Sequence, residues 1–126
     1  MTDEALIRAL NDAYADAVNR RDADAWGALW ASDAVWILMG WEFRGRPAIV
    51  QAWNEAMAGF AFVGFFCQTG WVEVQGDMAQ GRVWTHEVLE RRDGSVSTPL
   101  GRYDDDYVRT DGRWRFHRRV FHVRRP

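Results

Sequence analysis

A chain of 126 residues with 48% hydrophobic content and a formal charge of −2 suits one globular domain, 1–126, with one core. The small negative charge argues against a nucleic-acid partner, which needs a basic face, and a single cysteine excludes a disulfide framework and a cysteine-built zinc site. There is no lysine, which excludes Schiff-base chemistry, pyridoxal attachment and the phosphate-loop lysine together.

From the N-terminus, residues 3–20 read as an amphipathic helix. Leu6, Leu10, Ala13 and Ala17 recur at helical spacing, with Ile7, Tyr14 and Val18 beside that stripe. Thr2 or Asp3 can cap its start. A short second helix is expected from Ala23 to Ala31, burying Trp26, Leu29 and Trp30, with Asp22 just before it. Ala34–Leu38 reads as a strand that turns at Met39-Gly40-Trp41 into Glu42–Arg44. Pro47 suits the first turn of a third helix, which places Ile49, Trp53 and Met57 on one face and stops at Gly59. Four strands follow, Phe62–Gln75, Met78–Arg91, Ser97–Thr110 and Arg113–Arg124, separated by Gly76-Asp77, Asp93-Gly94 and Asp111-Gly112. Three successive hairpins make an antiparallel meander. Helices first and meander last mean α+β, with the helices on one face of a curved sheet. Gly64, Gly81 and Gly101 at strand centres permit the curvature. The arginines of the last strand mostly alternate, as on a solvated strand edge. No apolar run approaches a membrane span and no basic-then-apolar leader is present, so a cytoplasmic protein without a membrane partner is expected.

Four segments carry a resemblance: "YADAVNRRDADAWGALWASDAVW" at 14–36, "FRGRPAIVQAW" at 43–53, "VEVQGDMAQGR" at 72–82 and "GRYDDDYVRTDGRWRFHRR" at 101–119. In them the chain resembles the SnoaL-like branch of the nuclear transport factor 2-like superfamily. The resemblance implies a cone-shaped α+β barrel, a deep apolar cavity and frequent dimers. The superfamily includes isomerases, dehydratases, cyclases and non-catalytic modules, so the fold does not fix an activity. Scytalone dehydratase and hexachlorocyclohexane dehydrochlorinase pair an aspartate after the first helix with a histidine on the first long strand. The aspartate position looks like Asp22. The histidine position looks like Phe65, which cannot accept a proton. An arginine on the last strand looks like Arg119, and a pocket tryptophan looks like Trp36.

That alignment sets the strand phase, because side chains alternate between faces. With Phe65 inward, Val63, Cys67 and Thr69 also face in. The neighbouring strands then contribute Val83, Thr85 and Glu87; Pro99, Gly101 and Tyr103; and His117, Arg119, Phe121 and Val123. Tyr14, Val18, Trp53 and Met57 from the helices, and Trp36 from the short strand, are the further wall candidates. His86, Trp84 and Trp114 face out, and tryptophans on the convex face suggest a homodimer interface. His117 and His122 fall on opposite sides, and Asp104-Asp105-Asp106 alternates, so no metal site is expected.

Each polar candidate has two readings. Asp22 is either a helix cap or a catalytic carboxylate. Glu87 is either a general base or acid with a raised pKa, or half of an ion pair with Arg119 or Arg102. Arg119 stabilises an oxyanion or neutralises an acid. Tyr103 donates to a ligand oxygen or is a core aromatic. The expected function is cofactor-independent, carboxylate-mediated proton transfer on a hydrophobic small molecule, of isomerase, cyclase or lyase type. The rival readings are a ligand carrier or sensor, and a dimerisation module whose cavity its own aromatics fill.

Overall fold

A computed structural model describes all of residues 1–126. Helix α1 spans Asp3–Arg20; the Thr2 hydroxyl accepts from the Ala5 amide at 3.1 Å, with Asp3 and Glu4 in the favourable first turn. Its buried face is Ile7, Leu10, Asn11, Tyr14, Ala17 and Val18, while Leu6 and Ala13 are exposed. The stripe is therefore rotated from the one read from sequence, because polar Asn11 belongs to it.

Helix α2 is only Ala23–Gly27, capped by Asp22. The expected helix through Ala31 does not form: Trp30 already pairs with the last strand, and strand β1 runs Trp30–Leu38. Gly27 is needed where α2 meets α3, since a Cβ there would lie 2.8 Å from Val50 Cγ2. Strand β2 (Trp41–Arg44) returns from β1 through Met39 and Gly40, both at positive φ. Helix α3 (Arg46–Ala58) presents Ile49, Trp53 and Met57 to the interior. Strands β3 (Phe60–Gln75), β4 (Met78–Arg91), β5 (Val96–Ser97), β6 (Leu100–Thr110) and β7 (Arg113–Arg125) complete the chain.

The sheet order is β2-β1-β7-β6-β4-β3, with the short β5 paired to β4. The antiparallel meander expected from the hairpin turns is present, but the whole sheet is mixed. Strand β1 runs parallel to β7, with Trp36 opposite Arg119. Three N-terminal helices pack inside this curved seven-stranded sheet. Trp26, Trp30, Trp36 and Trp53 form one aromatic cluster at the helix–sheet junction, with Trp26 and Trp53 stacked at 4.8 Å.

Strand β3 ends the sheet, and side chains of α1 and of its C-cap Arg21 bond to its free edge. The Asn19 amide donates to Phe65 O and its carbonyl accepts from Phe65 N, both at 2.8 Å. Arg8 donates to Thr69 O at 2.9 Å and Arg21 to Phe60 O at 2.8 Å. Backbone groups that would otherwise invite another strand are thereby satisfied.

One irregularity in β7 overturns part of the expected phase. Asp106 pairs with Arg118 and Tyr107 with Phe116, so His117 is an extra residue in the ladder. On one side of it Arg119 and Phe121 face inward; on the other, Phe116 and Trp114 do. Trp114 is 6% exposed, not on the convex face as expected, and its indole donates to Asp3 Oδ1 at 3.0 Å. His117, expected inward, is half exposed and lies 3.8 Å from Asp33.

Candidate functional site

The cone encloses a cavity of about 420 Å³. Its wall is built by all the layers: Tyr14 and Val18 from α1, Trp36 and Leu38 from β1, and Trp53 and Met57 from α3. The sheet adds Val63, Phe65, Glu87, Leu89, Tyr103 and Phe121. Met39, Phe60, Arg91, Ser97, Pro99 and Val123 also line it. The lining is predominantly apolar, the composition of a small-molecule site, and the volume falls in the lower part of the usual range of about 300–1,000 Å³.

Glu87 reaches this space because β4 alternates. Val83 and Thr85 are buried on the same face, and Trp84 and His86 point outward. Its carboxyl makes no ion pair and no side-chain hydrogen bond, with Arg119 and Arg102 both engaged elsewhere. Burial among apolar groups pushes Glu87 up from 4.5 to about 7.

Facing the same space is a hydroxyl pair. Trp36 Nε1 donates to Tyr103 Oη at 3.1 Å, and Tyr103 Oη lies 3.3 Å from Tyr14 Oη. Burial raises both tyrosines above their usual value, so each is a neutral donor near neutral pH; the Arg119 guanidinium works in the opposite direction.

Arg119 is beneath that pair, outside the cavity. Its guanidinium carbon lies 3.8 Å from the centre of the Tyr103 ring, 4.1 Å from Phe116 and 4.5 Å from Tyr14. It forms a fork with Asp105: Nε donates to Oδ1 at 2.7 Å and Nη2 to Oδ2 at 3.0 Å. The two side chains are 1% and 0% exposed. Tyr107 Oη also donates to Asp105 at 2.7 Å, and Asn11 donates to Tyr107 Oη at 3.1 Å. Burial pushes the Asp105 carboxyl up, against the pull of Arg119 and Tyr107.

Asp22 is away from the cavity. It accepts from the Ala25 backbone N–H at 3.0 Å and from Arg20 Nη1 at 2.9 Å, and these two hydrogen bonds, the first above all, hold its carboxyl below the usual range. Cys67, Thr69, Val83, Thr85 and Gly101 face inward but belong to the filled narrow end of the cone. Cys67 Sγ donates to Asn11 O at 3.6 Å, and Thr69 Oγ1 accepts from Asn11 at 3.2 Å. Val83 is fully buried, and a Cβ at Gly101 would overlap the Phe121 ring and crowd the Thr85 hydroxyl. The cavity thus occupies the open half of the cone, because Tyr107, Phe116 and the Arg119–Asp105 fork fill the other half. Asn11, Asn19 and Asp105 were not singled out from sequence. Asp105 had a signal, since it continues the inward series Gly101, Tyr103; Asn11 and Asn19 had none beyond their place on the helix. No three His, Cys, Asp or Glu side chains converge as a metal site, and no helix is long and apolar enough to cross a membrane.

Residues 1–120 match the family described as the SnoaL-like domain. The chain belongs to the SnoaL-like family. Comparison with curated proteins gives no significant match. Among solved structures, this SnoaL-like protein is similar to a protein of unknown function from Mycobacterium tuberculosis: 27% identity, TM-score 0.85, covering 98% of this chain and 72% of that one. It is also similar to a putative aromatic ring hydroxylase from Novosphingobium aromaticivorans: 26% identity, TM-score 0.90, covering 98% and 90%. A hexachlorocyclohexane dehydrochlorinase from Novosphingobium barchaimii shares the fold at 18% identity and TM-score 0.87, covering 96% and 86%. A scytalone dehydratase-like protein from Novosphingobium aromaticivorans, at 18% identity and TM-score 0.87, and a ketosteroid isomerase-like protein from Erwinia carotovora, at 22% and 0.87, share the fold as well.

Proposed function

We propose that this SnoaL-like protein is a cofactor-independent enzyme that moves a proton on a hydrophobic small molecule, in an isomerisation, cyclisation or elimination. The observation that carries the reading is Glu87: an unpaired carboxyl on the wall of an apolar cavity, with a pKa near 7. A group poised there is a base in one half of a reaction and an acid in the other. The Tyr103–Tyr14 pair supplies the hydrogen bonds a developing oxyanion needs. Trp36 donates to Tyr103 Oη, which leaves the tyrosine's own proton for Tyr14 or a ligand oxygen. Arg119 acts through these rings from below, as a positioning residue. Asp22 has no part in this proposal, because cap and ion pair occupy it outside the cavity.

The test is proton exchange in deuterated water, followed by NMR, across a panel of hydrophobic ring ketones and enones. Glu87→Gln is expected to slow exchange by about 10²–10⁴-fold, the usual worth of a positioned acid–base group, and Tyr103→Phe to slow it as well. Full activity in Glu87→Gln removes Glu87 from the mechanism. Ligands that quench the cavity tryptophans yet never exchange or react would instead identify a carrier.

The same reading includes a homodimer through the convex face. Phe62, Phe66 and Leu100 are exposed there, and Trp84 is 36% exposed with Arg82 and Arg124 against its ring. Sedimentation of Phe66→Glu is expected to show a monomer where the parent protein shows a dimer. A monomeric parent protein would contradict this interface.

A further inference from the structure

Only two charged side chains line the cavity, and both come from β4. Glu87 and Arg91 are four residues apart, so alternation puts them on one face with Leu89 between them. Four residues at about 3.3 Å each separate their Cα atoms by roughly 13 Å. Glu87 is opposite Phe65, deep in the cone; Arg91 is opposite Phe60, where β3 begins and β5 comes alongside. One end of the cavity therefore carries an acid and the mouth carries a cation.

Arg91 is held in place without a direct ion pair, although the Asp93 carboxyl feels its charge at longer range. Its guanidinium lies over the Phe60 ring at 5.9 Å, and Nη2 donates to Ser97 Oγ at 3.2 Å. It makes no ion pair. Glu90, its neighbour, lies on the other face of the strand. Asp93 is occupied by the Ser95 amide at 2.9 Å and the Ser95 hydroxyl at 2.7 Å. Arg92 does not compete for the site, since it donates to Ala58 O at 3.0 Å. The remaining Arg91 N–H groups have no protein partner. A guanidinium is a flat fork that matches a carboxylate, and an apolar surround strengthens that match. One cation at the mouth balances one negative charge; a dianion would leave charge uncompensated against apolar wall.

The geometry points to Arg91 as the specificity-determining residue of the cavity. It selects hydrophobic ring compounds bearing a single carboxylate, holding the carboxylate at the mouth and directing the ring toward Glu87 and the Tyr103–Tyr14 hydroxyls. This rests on the reading of the cavity as the reaction site. It adds a substrate class, organic monoanions, and an orientation, since the reverse pose would set a carboxylate against Glu87.

The test is binding, independent of turnover. Naphthoate and naphthamide have the same shape and differ in charge, and quenching of Trp36 and Trp53 reports occupancy. In the intact protein naphthoate is expected to bind at least about tenfold more tightly, the worth of a charge-assisted hydrogen-bonded pair. Arg91→Gln is expected to bring the two ligands within about twofold, Arg91→Lys to keep part of the preference, and added salt to shrink it, as a partly exposed cation requires. Equal binding in the intact protein, an unchanged preference in Arg91→Gln, or no binding of either ligand overturns the assignment. The arms separate the two readings. A charge preference without proton exchange on any substrate sinks the catalytic proposal alone; exchange without a charge preference sinks the role of Arg91 alone.

Discussion

Glu87→Gln has a consequence for stability as well as for chemistry. Glu87 is raised from 4.5 to about 7 in the folded protein, by burial. The folded state therefore holds this proton more tightly than the unfolded chain does. Its contribution to stability is fully present below pH 4.5, declines as pH rises, and is gone above about pH 7, where the cavity must hold a charge. Each unit of pKa is worth about 1.4 kcal/mol, which gives an upper limit of roughly 3 kcal/mol. Contact of the cavity with solvent lowers that to about 1–3 kcal/mol. Glutamine has nearly the same shape and never ionises. At pH 4 the variant and its parent are expected to unfold at the same urea concentration; at pH 8 the variant is expected to be more stable by about 1–3 kcal/mol. Urea titrations at several pH values, read by circular dichroism, measure the difference directly. A gap that does not change with pH, or a variant less stable at pH 8, would show that Glu87 meets water or a partner in the folded state.

Asp105→Asn strips the charge from the partner of a fully buried guanidinium, and should destabilise the protein by about 3–5 kcal/mol in urea unfolding. Asp22→Ala should cost about 1 kcal/mol, as for other helix caps, and leave ligand quenching of the cavity tryptophans unchanged; lost binding would return Asp22 to the site. Gly101→Ala should lower the melting temperature, because the new methyl group meets the Phe121 ring, and a neutral outcome would show that ring free to move.

The hairpin turns made the meander legible, and alternation from Phe65 was enough to turn Glu87 inward on β4. The same alternation misread β7, because a single inserted residue at His117 reverses the faces of Trp114 and Phe116 and carries no signature in composition or spacing. Arg119 was legible as an inward charge, but its partner was not. Asp105 sits in a run of three aspartates, and only the register of β6 against β7 shows that this one meets the guanidinium. The end of α2 was lost for a related reason. Leu29 and Trp30 continue a helical pattern, yet pairing of Trp30 with Phe116 satisfies its backbone better than another half-turn would. Long-range pairing decided each of these points.

The way α1 fastens to β3 bears on how the molecule meets others of its kind. At Phe60, Phe65 and Thr69 the rim of the sheet is already stitched to asparagine and arginine side chains. A stray strand arriving at those positions finds three carbonyls and one amide already taken. On this side of the sheet the long, aromatic-rich strand β3 is shielded by its own helix at the points where a newcomer would first pair.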